Sequence, residues 1–320
     1  MTFREKLITQ KETDNKVRSK NIWMDAFLRL KKNKMAVVGA IFIVFLVIIA
    51  IFAPYIAPKD YSEGNFIDNY SKPGNNYLLG ADFMGRDVLS RLIYGTRISL
   101  SVGFLGAFIA FILGVTYGII SGFYGGQVDE IMMRIVDIFY AFPTLLLIIL
   151  LMVLFKSNLF QVTTNNIFIQ TIIKIDDAWG GLFFIMIGIS VTSWVGMARI
   201  ARGLTLSTKE KEYIQAAIAT GNNNFRVIFR HILPNIIGPC IVTVTLSIPG
   251  FIGTEAFLSF IGLGVNPPTP SWGMMISDGY KAMQSYPHLA LYPGIVLALT
   301  MLSFNFLGDG LRDALDPRMR

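Results

Sequence analysis

Glu255, His231, His288 and Cys240 are the side chains from which a reactive site would ordinarily be assembled, yet their surroundings point away from bond-making. With two histidines and one cysteine in 320 residues, an internal disulfide framework and a cysteine-based zinc centre are excluded. No histidine cluster is left to hold another metal, and His288 and Cys240 are expected to be structural. No Gly-x-x-x-x-Gly-Lys-Ser/Thr segment occurs, so the chain lacks that loop for cradling ATP phosphates. A Ser/His/Asp set with a local signature is missing, as is a pair of carboxylates in a recognisable context. Glu255 stands almost alone as an ionisable residue inside a long apolar stretch. Such residues are costly in lipid and are kept for function, and an ion-coupled carrier needs several. Any uphill movement of solute would therefore draw its energy from another subunit.

The most informative spacing lies between residues 202 and 235. Ser207-Thr208-Lys209-Glu210 has the form of a capping box, with Ser207 covering a helix start while Glu210 reaches back. The spacing predicts a helix over about 208–220 that stops at Gly221, a suitable C′ residue. Ile214, Ala217 and Ile218 fall on one face with Tyr213 adjacent, and Ala216 and Ala217 let another surface come close. After Asn222-Asn223-Asn224, residues 225–233 are expected to form a second short helix that Pro234 ends. On composition alone, a solvated loop lying against its own membrane domain is the competing reading.

These elements hang on a chain that is 53% hydrophobic and only 15% charged, against about 25% charged in an ordinary soluble domain. That deficit argues against a cytosolic enzyme, a disordered tail or a nucleic-acid binder. A bilayer core of about 30 Å needs about 20 helical residues. Uncharged intervals of 24, 31, 18 and 21 residues follow Lys34, Arg97, Asp137 and Asp177, and intervals of 24 and 27 follow Arg230 and Lys281. Within them the sequence places six transmembrane helices, near 35–57, 98–122, 136–155, 180–201, 236–262 and 288–308. The first run is too long for a signal-peptide core and no convincing cleavage site follows it, so it reads as a retained helix.

The formal charge of +7, from 28 Lys and Arg against 21 Asp and Glu, is not spread evenly. Segment 1–34 carries ten Lys and Arg and segment 199–230 carries six. The bias of Lys and Arg towards cytoplasmic loops then puts both termini and the 202–235 loop on the cytoplasmic side. Segment 22–34 alternates apolar and basic positions and fits an interfacial helix whose Arg29, Lys31, Lys32 and Lys34 meet anionic lipid headgroups. Residues 1–20 read as a basic tail.

Tyr213-Ile-Gln-Ala-Ala-Ile-Ala-Thr-Gly221, followed after nine residues by His231-Ile-Leu-Pro-Asn235, resembles the cytoplasmic EAA loop of ABC-importer permeases. Gln215 stands where that motif carries glutamate. Five further stretches narrow the likeness: Leu79-Gly-Ala-Asp-Phe-Met-Gly-Arg-Asp-Val-Leu-Ser-Arg91, Tyr94-Gly-Thr-Arg-Ile-Ser-Leu100, Asp137-Ile-Phe-Tyr-Ala-Phe-Pro143, Thr254-Glu-Ala-Phe-Leu-Ser-Phe-Ile-Gly-Leu-Gly264 followed by Pro267-Pro-Thr-Pro-Ser-Trp-Gly273, and Asn305-Phe-Leu-Gly-Asp-Gly-Leu-Arg-Asp-Ala-Leu-Asp-Pro317. Together they resemble the C-type permease of the oligopeptide/dipeptide/nickel importers over roughly 22–317. Segment 156–177 looks like an insertion in an external loop.

That resemblance implies an all-α polytopic membrane protein with the type-1 ABC importer permease fold. It divides the chain into a cytoplasmic N-terminus (1–34), a first span with an external segment (35–96), a permease core (97–310) containing the coupling loop (202–235), and a cytoplasmic tail (311–320). It implies a transport subunit without catalytic residues of its own, in the bacterial inner membrane. The partners implied are a homologous permease forming the other half of the pore, two cytoplasmic ATPases, and an extracytoplasmic solute-binding protein. ATP and magnesium would be bound by the ATPases, and this chain would hold no cofactor and no metal. Peptides are the expected cargo, with nickel or another small solute as the alternative.

Tyr213, Gln215, Ala216, Ala217, Gly221, His231 and Pro234 would form the ATPase-coupling element. Pro249 and Gly250 free backbone groups where a helix wall can face a cavity, and with Glu255 they are candidates for the translocation path or a gate. Asp82, Arg86 and Asp87 are candidates for external docking of the binding protein. Gly114, Gly118 and Gly122 make consecutive small-x-x-x-small steps, best read as close helix packing. A self-sufficient channel or carrier, and a membrane-bound enzyme or scaffold, are the rival classes. The first would carry solute without any ATPase, and the second would show a catalytic constellation.

Overall fold

Where charge is absent the backbone must satisfy its own hydrogen bonds, and helices are how one segment does so in lipid. A computed structural model describes residues 22–156, 170–171, 174–176 and 180–315. The basic tail 1–20, most of the 156–177 insertion and the last five residues lie outside them. Among the described residues the chain is helical, with only two isolated bridges, Gly64 to Arg86 and Ala81 to Asp87. The helices are α1 (Ile22–Leu30), α2 (Lys34–Ile51), α3 (Ala53–Ile56), α4 (Val88–Tyr124), α5 (Gly126–Ala141) and α6 (Thr144–Lys156). They continue as α7 (Leu182–Lys209), α8 (Glu212–Ala219), α9 (Asn224–Val227), α10 (Leu233–Phe260), α11 (Trp272–Lys281) and α12 (His288–Leu315).

Five helical segments are long and apolar enough to cross a membrane, and the pair α5–α6 gives a sixth if it counts as one span. Here the sequence expectation needs correction, because 136–155 is not one continuous helix. The chain bends by 79° between α5 and α6, at Phe142 with its extended backbone (ψ 132°). Pro143 disfavours the helical conformation for the residue before it. With 13 residues, α6 is about 20 Å long, short of a full bilayer core.

Other boundaries also move. The first span stops at Ile51 and resumes as the short α3, rather than running to 57. Helix α4 starts ten residues earlier than expected because Asp87 caps it, its carboxylate accepting from the Ser90 amide at 2.8 Å. That early start brings Arg91 into the helix, where it is buried beside Asp82 at 3.4 Å instead of meeting lipid.

The small-residue stripe on α4 packs against α7. A Cβ at Gly114 would lie 2.5 Å from that of Met197, and one at Gly122 would lie 2.9 Å from the Arg202 carbonyl oxygen. The three largest apolar clusters among the described residues join the helices. Ile43, Leu46, Leu100, Ile252 and Phe304 join α2, α4, α10 and α12. Val102, Ile148, Met152, Ile185 and Leu258 bring α6 and α7 in. At the end where α4 terminates, Val115, Ile119, Phe123, Met197, Ile214, Ile232 and Cys240 form the third. Outward-facing side chains such as Ile41, Val44, Leu146 and Leu150 remain large and apolar, the composition expected of a surface that meets lipid or another span.

The coupling loop and its anchors

Helix α7 does not stop at Ser207. It runs to Lys209, and the Ser207 hydroxyl donates back to the Leu204 carbonyl at 3.0 Å instead of capping a new helix. The expected capping box and the helix start at 208 are therefore corrected. Helix α8 begins at Glu212 behind Lys211. Tertiary contacts decide this: Lys209 Nζ donates to the Phe123 carbonyl at 2.6 Å, pinning the last turn of α7 to the end of α4. Gln215 Nε2 then donates to the Lys209 carbonyl at 2.8 Å, capping α7 from α8.

The C-terminus of α8 behaves as the sequence indicated. Gly221 has φ +78°. Its amide donates to the Ile218 carbonyl at 3.0 Å, and the Asn222 amide to that of Ala217 at 3.3 Å, the paired bonds of a Schellman end. Ile214 is fully buried, and Ile218 lies partly buried on the same cluster. Ala217 is half-buried, whereas Gln215 and Ala216 are open. Tyr213 stays 47% exposed, and Phe225 and Phe229 are 66% and 53% exposed with ring centroids 4.3 Å apart. The loop thus has an inner apolar foot and an outer face of small and aromatic side chains.

Pro234 does not end a helix, which is a second correction here. The five residues Ile228–Ile232 form a π-turn, and with α9 and α10 they make one span, Asn224–Phe260. Proline has no amide to donate, and here it stands in the first turn of α10, where none is needed. His231 lies in the π-turn, half-buried, its carbonyl accepting from Asn235 Nδ2 at 2.6 Å.

An ion-pair clamp that sequence reading passed over holds this end together. Asp129 on α5 accepts from both Arg202 on α7 and Ser121 on α4. Arg199 reaches Asp137 at 2.6 Å and covers the Tyr140 ring at 4.1 Å. In the sequence Arg199 and Arg202 set orientation, and Arg202 also marks where the coupling loop joins its span. The signal for the clamp is that Asp129 closes one uncharged run and Asp137 opens the next, so both acids lie on the segment between two spans.

Glu255 lies at the opposite end of α10 and is fully buried. Its carboxylate accepts from Ser99 at 3.0 Å and Ser259 at 2.7 Å. Ser99 also accepts from the Trp272 amide at 3.4 Å. The cluster ties α4, α10 and the start of α11 together. As the structure stands, Glu255 presents no surface to a solute path. Replacement of Glu255 by alanine should therefore lower stability by about 2–3 kcal/mol, because buried hydroxyls lose their acceptor. Glutamine keeps an acceptor and should cost about half as much. Thermal unfolding of the purified complex separates the two, and equal losses would refute this anchoring role. Pro249 is buried and Gly250 exposed, and α10 runs unbroken through both.

Asp82, Arg86 and Asp87 are brought together, but inward, with exposures of 7%, 5% and 2%. Asp82 accepts from the Met84 and Arg86 amides at 2.8 and 3.0 Å and from Arg86 Nε at 2.7 Å. Their side chains thus fold the 79–91 turn and offer little open surface. Asp278 on α11 approaches the same knot, and burial raises its carboxyl above the ordinary range while Arg91 acts against the rise.

Comparison with known proteins places the fold and the loop in context. Residues 114–320 match the family described as binding-protein-dependent transport system inner membrane component. Residues 21–73 match the N-terminal transmembrane domain of oligopeptide transport permease C. The oligopeptide transport system permease OppC of Bacillus subtilis is 44% identical, over 95% of this chain and 92% of its own length. The dipeptide permease DppC of the same organism is 42% identical, over 92% and 86%. The glutathione permease GsiD of Pectobacterium atrosepticum is 35% identical, over 95% of both. A chain of the MetNI methionine ABC transporter, solved in inward-facing conformations, shares the fold with a TM-score of 0.52 at 16% identity, covering 71% of this chain and 96% of that one. The chain belongs to the binding-protein-dependent inner-membrane components, the permease subunits of ABC importers.

Proposed function

We propose that this chain forms half of the translocation pore of a peptide importer and receives the ATP-driven movement through α8. The observation that carries the reading is the two-sided loop: Ile214 seated in the bundle, with Tyr213, Ala216, Phe225 and Phe229 outside. Small and aromatic side chains on a protruding helix suit a cleft in another protein. The partners are a homologous permease, two cytoplasmic ATPases that hold ATP and magnesium, and an extracytoplasmic solute-binding protein. This chain then carries no catalytic residue, metal or cofactor of its own. Residues 97–310 act as the permease core, 1–34 and 311–320 lie in the cytoplasm, and the host membrane is the bacterial inner membrane. Relatives named for oligopeptide and dipeptide transport support peptides as cargo.

Movement of the ATPases would press on α8 and α9. Ile214 and the π-turn pass that movement to α10, while Lys209 and Arg202 pass it to α7, α4 and α5. Gentle solubilisation of the tagged chain should co-purify the ATPases, and mass spectrometry of the binding protein's ligand should find peptides. Ala216→Arg, which adds bulk and charge to the open face, should reduce retained ATPase about tenfold, a loss of about 1.4 kcal/mol. Absence of any ATPase from the unmodified complex would sink the proposal.

A further inference from the structure

Helix α4 carries one arginine whose charge the fold does not use. Arg91, Arg134, Arg199 and Arg202, the other arginines of α4, α5 and α7, each pair with an acidic side chain. Arg97 is exposed and, among the described residues, has no acidic partner within 4.0 Å. It lines a cleft of about 470 Å³ with Tyr61, Tyr94, Ser101, Met186 and Thr269. That volume is within the usual range for a small-ligand site. The Tyr61 and Tyr94 rings pack at 4.4 Å to form one wall. Buried Arg91 holds the wall from behind, donating to the carbonyls of Tyr61 and Pro268 at 3.4 and 3.3 Å.

Met186 also lines a second cleft on the same pair of helices, of about 300 Å³, whose lining includes Ile109, Leu113, Ser190 and Trp194. Among the described residues Ser190 Oγ is buried without a hydrogen-bond partner, an unmet polar group on a wall that is otherwise apolar. Helices α4 and α7 thus frame a groove with a free cation at its mouth and an unmet hydroxyl further in. Ile189 packs beside Gly106, so the hydroxyl level is about 15 Å along α4 from Arg97 at 1.5 Å per residue. That distance corresponds to four or five residues of extended chain.

We propose that Arg97 receives the C-terminal carboxylate of the transported peptide, whose backbone then runs along this groove past Ser190. The proposal rests on the peptide-importer reading. A free carboxylate is the part of a peptide most costly to bring into a low-dielectric wall, and a guanidinium fork neutralises it through two parallel hydrogen bonds. The apolar lining accepts side chains of varied shape, and the single hydroxyl meets a backbone group. A lipid phosphate presents similar anionic oxygens, and the assay separates the two sources.

The test uses the complete importer in proteoliposomes with binding protein preloaded to saturation. One peptide is supplied as the free acid and as the C-terminal amide. The unmodified importer should favour the acid about tenfold, Arg97→Gln should bring the ratio near one by slowing the acid alone, and Arg97→Lys should keep a preference of a few-fold. Equal slowing of acid and amide by Arg97→Gln would mean a structural or lipid-binding role and would overturn the proposal, as would an unchanged ratio. If Arg97→Gln does not assemble, Arg97→Lys decides, since an undiminished tenfold ratio there also overturns it. Failure of the unmodified importer to carry either form would strike the peptide reading itself, and the site with it.

Discussion

Gly118→Leu should abolish accumulation of the folded chain in the membrane. A Cβ at this position would lie 2.4 Å from the Ala198 carbonyl oxygen, 2.7 Å from Ala201 Cβ and 2.7 Å from the Arg202 amide nitrogen. Backbone atoms of α7 cannot swing aside as a long side chain would, so the two helices must part. Lipid supplies no hydrophobic drive to bring them back, because the tails are as apolar as leucine, and close packing is what holds such helices. Overpacking a well-filled core costs about 1–3 kcal/mol, and a leucine set against backbone should exceed that. The damage would extend along the bundle, since Gly114 and Gly122 meet the same helix and Arg202 must stay within reach of Asp129. Gly203→Ala is the control, because that glycine lies on the same α7 with nothing within 4 Å. Size-exclusion profiles of detergent-solubilised, tagged protein report the outcome. A monodisperse Gly118→Leu peak at the unmodified level would refute the packing account.

Ile214→Asp should leave the spans inserted but lower import at least a hundredfold. Ile214 is fully buried in the cluster that includes Phe123, Ala201, Val227 and Ile232. A carboxylate there has no partner, and burying it unpaired would cost more than about 3 kcal/mol, so α8 would leave its seat. Helix α8 lies between spans and reaches their apolar packing through Ile214 and Ile218, so the spans keep their contacts with one another. The reconstituted importer should then hydrolyse ATP with little associated uptake. Ile214→Val, which removes one methylene, should retain most transport. Uptake per ATP that is unchanged in Ile214→Asp would refute the role given to this foot.

Much of the architecture was legible because lipid penalises charge so heavily. The runs after Lys34, Arg97, Arg230 and Lys281 mark helices that the structure contains. The same rule misled where a charge was paired inside the protein. Arg91 lies within α4, yet Asp82 and the 79–91 turn remove it from lipid, so the helix begins well before the uncharged run. Local patterns failed when a tertiary anchor opposed them. Ser207 and Glu210 spell a helix start, but Lys209 bound to the Phe123 carbonyl keeps α7 going. Pro143 was visible, yet an apolar run on both sides hid the bend at the preceding Phe142, a residue that proline pushes towards extended backbone.

Site reading followed the same division. The Gly221 terminus and the small face of α8 were readable because they depend on neighbours in sequence. The foot at Ile214 was seen only as one face of a helix, since its partners come from α4, α7 and α10. Asp82, Arg86 and Asp87 looked like surface chemistry because charged residues in an external segment usually face water. Asp82 bonds Arg86 and Asp87 caps α4 at Ser90, so a short turn can use up its own charges.

The π-turn at Ile228–Ile232 has a consequence for how the protein can change over generations. A π-turn holds one residue more than an α-helix of equal length requires. The wide turn absorbs that residue by under-winding, so its loss would restore regular winding and leave Phe225 on nearly the same side of the axis relative to Cys240. The length of the chain between the protruding tip and the membrane and the aim of that tip are therefore separately heritable. A lineage can gain or lose one codon at this turn while inheriting the aim and the seating of the span unaltered.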